Sequence, residues 1–235
     1  MPRDGEISQA LDLQGRSVPL AVQWNKRARR LTVTVDHTLR QVRLVLPRNV
    51  ELDEGLAFCE RNGDWIVNNL AKLPTPVPFA PGSRVPILGT VHEIVHLPEA
   101  RRGVWREEGR LCVSGREEHL PRRVTDFLRA LTLDWVEERV KEKSAMIGRE
   151  ARRITLRESR TRWGSCTPAG DLSFCWRLLF APAAVFDYVV AHEVAHLVHL
   201  NHSQRFWKLC QRLAGETAGP RRWLVRHGQT LWRYG

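Results

Sequence analysis

Tyr188 to Trp207 reads YVVAHEVAHLVHLNHSQRFW, and four of the nine histidines of this 235-residue chain fall within it. The run from Ala183 to Leu200 has no internal Gly or Pro, follows Pro182 and carries Asp187 early, so it predicts a helix. On a helix His192 and His196 project from one face, about 6 Å apart along the axis, and both imidazoles can reach one ion. Glu193 points about 100° away. A carboxylate there stands beside a cation rather than on it, where it can take a proton from a water the ion activates. A catalytic zinc also needs a third protein ligand and an open position. His199 lies about 10.5 Å beyond His192 along a straight helix, a marginal span for two imidazoles and one ion. His202 follows Asn201, which tolerates the left-handed conformation that ends helices, so a chain turning back there brings His202 under the metal. His202 is the expected third ligand, and His199 an outer or solvated residue.

Working outward, Arg153–Ser159, Thr161–Thr167 and Leu172–Leu178 read as a strand series before this helix, with a turn at residues 168–171. Phe206–Leu213 and Pro220–His227 read as short covering helices. Upstream, Glu117 to Gly148 predicts one long helix with acidic residues in its first turn and a glycine at its end. Short strands are expected around residues 85–88, 92–96, 103–106 and 110–113. Pro74 to Pro86 (PTPVPFAPGSRVP) is the clearest break, an extended Pro-rich connector. Leu52–Leu73 predicts one amphipathic helix, and Val18–Gln23, Arg30–Val35 and Gln41–Leu46 predict antiparallel strands. No domain-scale internal repeat is visible. These elements give a flexible lead-in at 1–16, a β-rich region with one helix at 17–116, and a C-terminal region at 117–235.

His92-Glu93-Ile94-Val95-His96 is formally a second HExxH string. Gly89 before it and Pro98 after it leave no room for a useful helix, and on a strand such spacing makes no ligand pair. These two histidines read as surface residues.

Composition narrows the classes. With 43% hydrophobic and 27% charged residues the chain is globular rather than disordered. No apolar run reaches the length of a membrane span, and MPRDGEISQALDL lacks the apolar core of a secretory signal. Five scattered cysteines without a C-x-x-C indicate neither a disulfide framework nor a zinc knuckle, and the cytoplasm is the expected compartment. Of the formal charge of +11, residues 149–235 hold +8, from 14 cations and 6 acids. That basic half can attract nucleotides, nucleic acid or acidic polypeptides, but 32 of the 37 cations are Arg, which also suits plain solubility.

Two segments carry a family likeness: Thr161-Arg162-Trp163-Gly164-Ser165-Cys166, and the HEVAH string continuing to Asn201-His202-Ser203 and Phe206-Trp207. Together they resemble the YgjP-like metal-dependent hydrolases, relatives of the SprT-like and WLM zinc metalloproteases in the zincin group, from about residue 18 to the C-terminus. The resemblance implies one Zn²⁺ on His192, His196 and His202, with Glu193 as catalytic base. It implies an α+β fold: a small twisted antiparallel sheet beside the HExxH helix, preceded by a β-rich half and a long connecting helix. A polypeptide substrate would lie along an edge strand. Arg162 and Trp163 would clamp or stack on it, and Gly164 would let its backbone approach; packing roles for Trp163 and Gly164 compete equally. Tyr188, one turn before His192, is a candidate to stabilise the oxyanion or simply to pack, and Cys166 reads as a small filler. The leading expectation is a zinc metallopeptidase. A metal-dependent nucleotide pyrophosphohydrolase, a DNA-associated protease and a closed structural zinc module are the alternatives.

Overall fold

The computed structural model of the chain describes residues 6–36, 39–159 and 161–235, with Glu6 described for its backbone only. Residues 1–5 of the expected lead-in lie outside the described residues. The chain divides into two compact units, Met1–Thr75 and Pro76–Gly235. The sequence reading places a boundary between 116 and 117. Contacts follow a different line: the strands between residues 84 and 114 share a core with the C-terminal helices.

In the first unit, β1 (Glu6–Leu13), β2 (Arg16–Asn25), β3 (Thr32–Asp36) and β4 (Gln41–Pro47) form one sheet in the order β1-β2-β4-β3. Residues 6–13, read as lead-in, are thus a full edge strand paired along β2. Gln14 and Gly15 both take positive φ, so β1 and β2 are joined by a two-residue turn whose twist matches the strands. The strands are not all antiparallel: β2 and β4 run parallel, and β3 comes back on the far side of β4. Leu20, Val22, Val42, Leu44 and Leu46 are buried on the face covered by α1 (Leu52–Arg61) and α2 (Gly63–Ala71). The single helix expected over 52–73 breaks at Asn62, whose side-chain amide donates to the Phe58 carbonyl at 2.8 Å. That bond competes with the helical ladder, and Gly63 follows it.

In the second unit, β5 (Arg84–Ile87), β6 (Thr90–Leu97), β7 (Val104–Glu107) and β8 (Arg110–Ser114) adopt the order β5-β6-β8-β7, with β6 and β8 parallel. This is the strand plan of the first sheet over again, a repeat of topology that the residues do not announce. The HEIVH histidines lie on β6 as expected, but they are not surface residues. His92 is buried with Nδ1 2.9 Å from the Thr90 carbonyl, and His96 Nε2 lies 2.6 Å from the Gly115 carbonyl. The Pro-rich connector also packs: Val77 bridges to Tyr234, and buried Phe79 faces Phe180.

The third sheet is β9 (Arg153–Arg157), β10 (Gly164–Cys166) and β11 (Asp171–Cys175) in the order β10-β11-β9. It is mixed rather than antiparallel, since β9 runs parallel to β11. β10 is an edge strand, paired only with β11 among the described residues.

A 28-residue helix, α3 (Leu120–Ile147), ends on Gly148 in the left-handed conformation and packs against α4 (Ala183–Ala195). Val185, Val190 and Val194 of α4 are at most 3% exposed, each worth about 1.5–3 kcal/mol on burial. One ion pair is fixed inside this contact. Lys143 Nζ of α3 lies 2.8 Å from Asp187 of α4 and donates to the Leu213 carbonyl at 2.9 Å. α5 (Gln204–Ala214) and α6 (Ala218–His227) complete the unit. Among the described residues no helix is long and apolar enough to cross a membrane.

Candidate metal centre

The histidine helix stops earlier than its apolar pattern suggests. α4 ends at Ala195, and the next residues tighten into three-residue turns, with Leu197 N–H donating to Val194 O and Val198 N–H to Ala195 O. His196 stands at the cap, and its Nδ1 lies 2.9 Å from the His199 carbonyl. That bond folds the following residues back under the helix. Asn201 does not take the left-handed conformation expected of it: the described non-glycine residues with positive φ are Gln14, Arg40, Leu88 and Glu108.

The reversal gathers three imidazoles. One ring nitrogen from each of His192, His196 and His202 lies within 4.8 Å of the others, and His192 Nε2 is 3.1 Å from His202 Nε2. Because a carbonyl can only accept, His196 Nδ1 must carry the proton, which leaves its Nε2 lone pair for the cluster. Two nitrogens on one tetrahedral zinc lie about 3.3 Å apart, so the His192–His202 separation suits such an ion. Burial, then the neighbouring imidazoles, push the His192 pKa down to about 4, and burial lowers that of His196. Both rings are therefore neutral at neutral pH, the form in which an imidazole can bind a metal ion. His192 Nδ1 is buried with no hydrogen-bond partner among the described residues, so ring packing rather than a hydrogen bond orients that imidazole. His199 is not in the cluster; it contributes its carbonyl.

Phe206 supplies that packing. It is fully buried, with its ring centroid 4.9 Å from His192, 4.5 Å from His196 and 4.8 Å from His202. Ser203 caps α5 by accepting from the Phe206 N–H, which sets Phe206 in place. Trp207 stacks on His202 at 5.6 Å, and Arg221 of α6 lies 5.4 Å over the Trp207 ring. Phe206 and Trp207 carry the resemblance in the sequence but are assigned no function there; their spacing of four and five residues beyond His202 on a capped helix is the signal. Arg221 comes from a distant helix and has no local signal.

Glu193 is 6% exposed, and burial pushes its carboxyl up to about 7 against the opposing field of Arg162. A carboxyl poised there can both take and return a proton near neutrality. Gly164 of β10 is its immediate neighbour: a Cβ at that position would sit 2.5 Å from Glu193 Cγ and 2.7 Å from Oε1. Arg162 is exposed beside it. Trp163 turns the other way, 6.0 Å from Trp232 and tight against Gly228. Tyr188 is buried with its ring edge-on to His192 at 6.0 Å, and burial raises its phenol pKa.

Cys166 ends the same edge strand. Burial, then Glu193, lift its thiol from 9.0 to about 11. At about pH 8 that leaves roughly a hundredfold less thiolate than in an ordinary cysteine. Iodoacetamide should therefore label Cys166 about a hundred times more slowly in the folded chain than after denaturation, as peptide mass mapping would read. Equal rates would mean that the thiol is neither buried nor held beside a carboxylate.

Residues 29–227 match the family described as YgjP-like, metallopeptidase domain. A search of curated proteins finds no match. Among solved structures, the metallopeptidase zymogen of Pyrococcus abyssi abylysin is similar at 19% identity and a TM-score of 0.33, covering 39% of this chain and 93% of that one.

Proposed function

The chain belongs to the YgjP-like metallopeptidase family, and on that premise we propose that it is a zinc-dependent peptidase with Glu193 as its general base. His192, His196 and His202 would hold the one ion. The observation that carries this reading is the convergence of three imidazole nitrogens beside a buried carboxyl on the same helix. The donor set fits: neutral nitrogens, a tautomer fixed at His196 and a spacing suited to tetrahedral zinc favour it over the harder cations that seek oxygen. When bound, the ion would supply Lewis acidity, lowering the pKa of a water and polarising a carbonyl.

The remaining work falls to the chain. Glu193 accepts the proton of the attacking water and returns it to the leaving amine. β10 offers an unpaired edge along which an extended polypeptide can add as a further strand, with Gly164 bringing that edge up to Glu193. Arg162, exposed at the start of this edge, meets substrate and holds the Glu193 carboxyl down. Tyr188 orients the His192 ring, and Trp163 braces the edge strand from behind. A helix bearing the base beneath an edge strand would be the arrangement that the zincin resemblance implies. Four of the five free cysteines are buried and the fifth is half-buried, which suits a reducing cytoplasm.

Elemental analysis of the purified chain should find one zinc per molecule, lost when His192, His196 or His202 becomes Ala. Casein should be cleaved, and nucleoside triphosphates left intact. Pyrophosphate release without peptide cleavage would replace the peptidase by a nucleotide hydrolase at the same residues.

A further inference from the structure

The search for unassigned surface leads to a groove of about 490 Å³ between the C-terminal turn of α3, the reversal after α4, and α5. Its floor is apolar: Met146, Val198 and Leu209 line it. Met146 is 50% and Val198 42% exposed, and Leu200 in the same reversal is 61% exposed. Two exposed large apolar residues therefore line the groove, and a third follows two residues beyond Val198. Its rim is cationic. Arg205, Lys208 and Arg212 lie three and four residues apart on one face of α5, while Phe206, Cys210 and Leu213 on the other face are buried. No carboxylate lines the groove, and no ion pair holds any of the three cations among the described residues. His199, whose ring the metal cluster does not use, lines it as well.

We propose that this groove is a docking site for an acidic, apolar segment of the polypeptide substrate, set apart from the hydrolytic centre. An apolar floor beneath a one-sided rim of positive charge matches a strand or helix that alternates carboxylates with aliphatic side chains. Nucleic acid would meet the rim equally well but would leave the floor without a partner, since phosphates need cations and bases need flat aromatic faces or groove-edge donors. The groove is tied to the centre through one short stretch: Val198 and His199 line it, the His199 carbonyl fixes His196, and His202 follows three residues on. The docked segment would thus deliver the rest of its chain to the peptidase site, and to that extent the inference rests on the peptidase reading.

The test uses the full chain carrying Glu193→Gln, so that the probe is not consumed. Fluorescence anisotropy would follow a short labelled peptide alternating Glu with Leu, its Lys-Leu counterpart, and a single-stranded oligonucleotide. The Glu-Leu peptide should bind, more weakly as salt rises, and the Lys-Leu peptide should not. Joint charge reversal of Arg205, Lys208 and Arg212 to Glu should cost about tenfold or more in affinity. Val198→Ser should also weaken the peptide, and Lys208→Glu alone serves if the triple variant loses its circular dichroism spectrum. Peptide binding indifferent to both rim and floor would overturn the proposal, as would an oligonucleotide that outcompetes the peptide and ignores Val198→Ser. In the otherwise wild-type chain, rim variants should cleave a short neutral peptide at the normal rate and acidic substrates poorly. If nothing is cleaved by any form while the rim-dependent binding persists, the peptidase reading fails and the groove stands.

Discussion

Exchanging Glu193 for glutamine should leave zinc content unchanged and lower peptide turnover by about three orders of magnitude. The amide is nearly isosteric, so it fits the space between α4 and Gly164 without a new contact, and the imidazoles keep their places on Phe206. What vanishes is, among the described residues, the only buried carboxyl beside the cluster, and with it the acceptor proposed for the water's proton. The pH profile provides a second reading. A general base works deprotonated, so activity falls as pH drops through its pKa. Burial lifts that value to about 7, and a bound cation would draw it lower, which moves the acid limb to lower pH. In the glutamine variant the residual activity should lose that limb. Metal analysis and kcat against pH on one peptide substrate suffice, and undiminished turnover with full metal would remove Glu193 from the mechanism.

What the sequence makes legible is what local pattern controls. The apolar run around the histidines has to be a buried helix, and i, i+4 geometry then puts His192 and His196 together whatever the rest of the chain does. His202 is reachable too, because a chain that reverses after the helix can carry it back, although Asn201 does not make the turn expected of it. The place of that end is not legible. It depends on His196 bonding the His199 carbonyl, a side-chain choice that stops α4 at Ala195 while helix-forming residues continue. The sheets show the same divide. Strand positions follow from alternation, but the parallel pairing of β2 with β4, β6 with β8 and β9 with β11 is a matter of non-local partners that alternation does not encode. Asn62 breaking the expected helix and the strand at residues 6–13 belong to this class, each decided by one bond or one neighbour. Phe206 illustrates the opposite case: its spacing from His202 is plain, and only its contact with all three rings reveals why a phenylalanine stands there.

Gly164→Ala should be the most damaging single methyl in the chain, costing about a hundredfold in kcat with zinc retained. The backbone at Gly164 does not need glycine, since its φ lies outside the left-handed region, so alanine brings no conformational strain. Its Cβ would instead arrive 2.5 Å from Cγ, 2.9 Å from Cδ and 2.7 Å from Oε1 of Glu193. These are side-chain atoms, which elsewhere could swing away. Here Glu193 is 6% exposed, with β10 on one side and the packed helix on the other, so relief requires the strand and the carboxyl to separate. A displacement on the order of 1 Å is enough to spoil proton transfer, which demands hydrogen-bond distance. Valine at the same place should be worse. The decisive control is the pair: added to Glu193→Gln, Gly164→Ala should cost little more, because both act on one proton transfer. Fully additive losses would mean that the glycine serves substrate backbone rather than the base, and wild-type kcat in the alanine variant would mean that Glu193 does not rest against β10 at all.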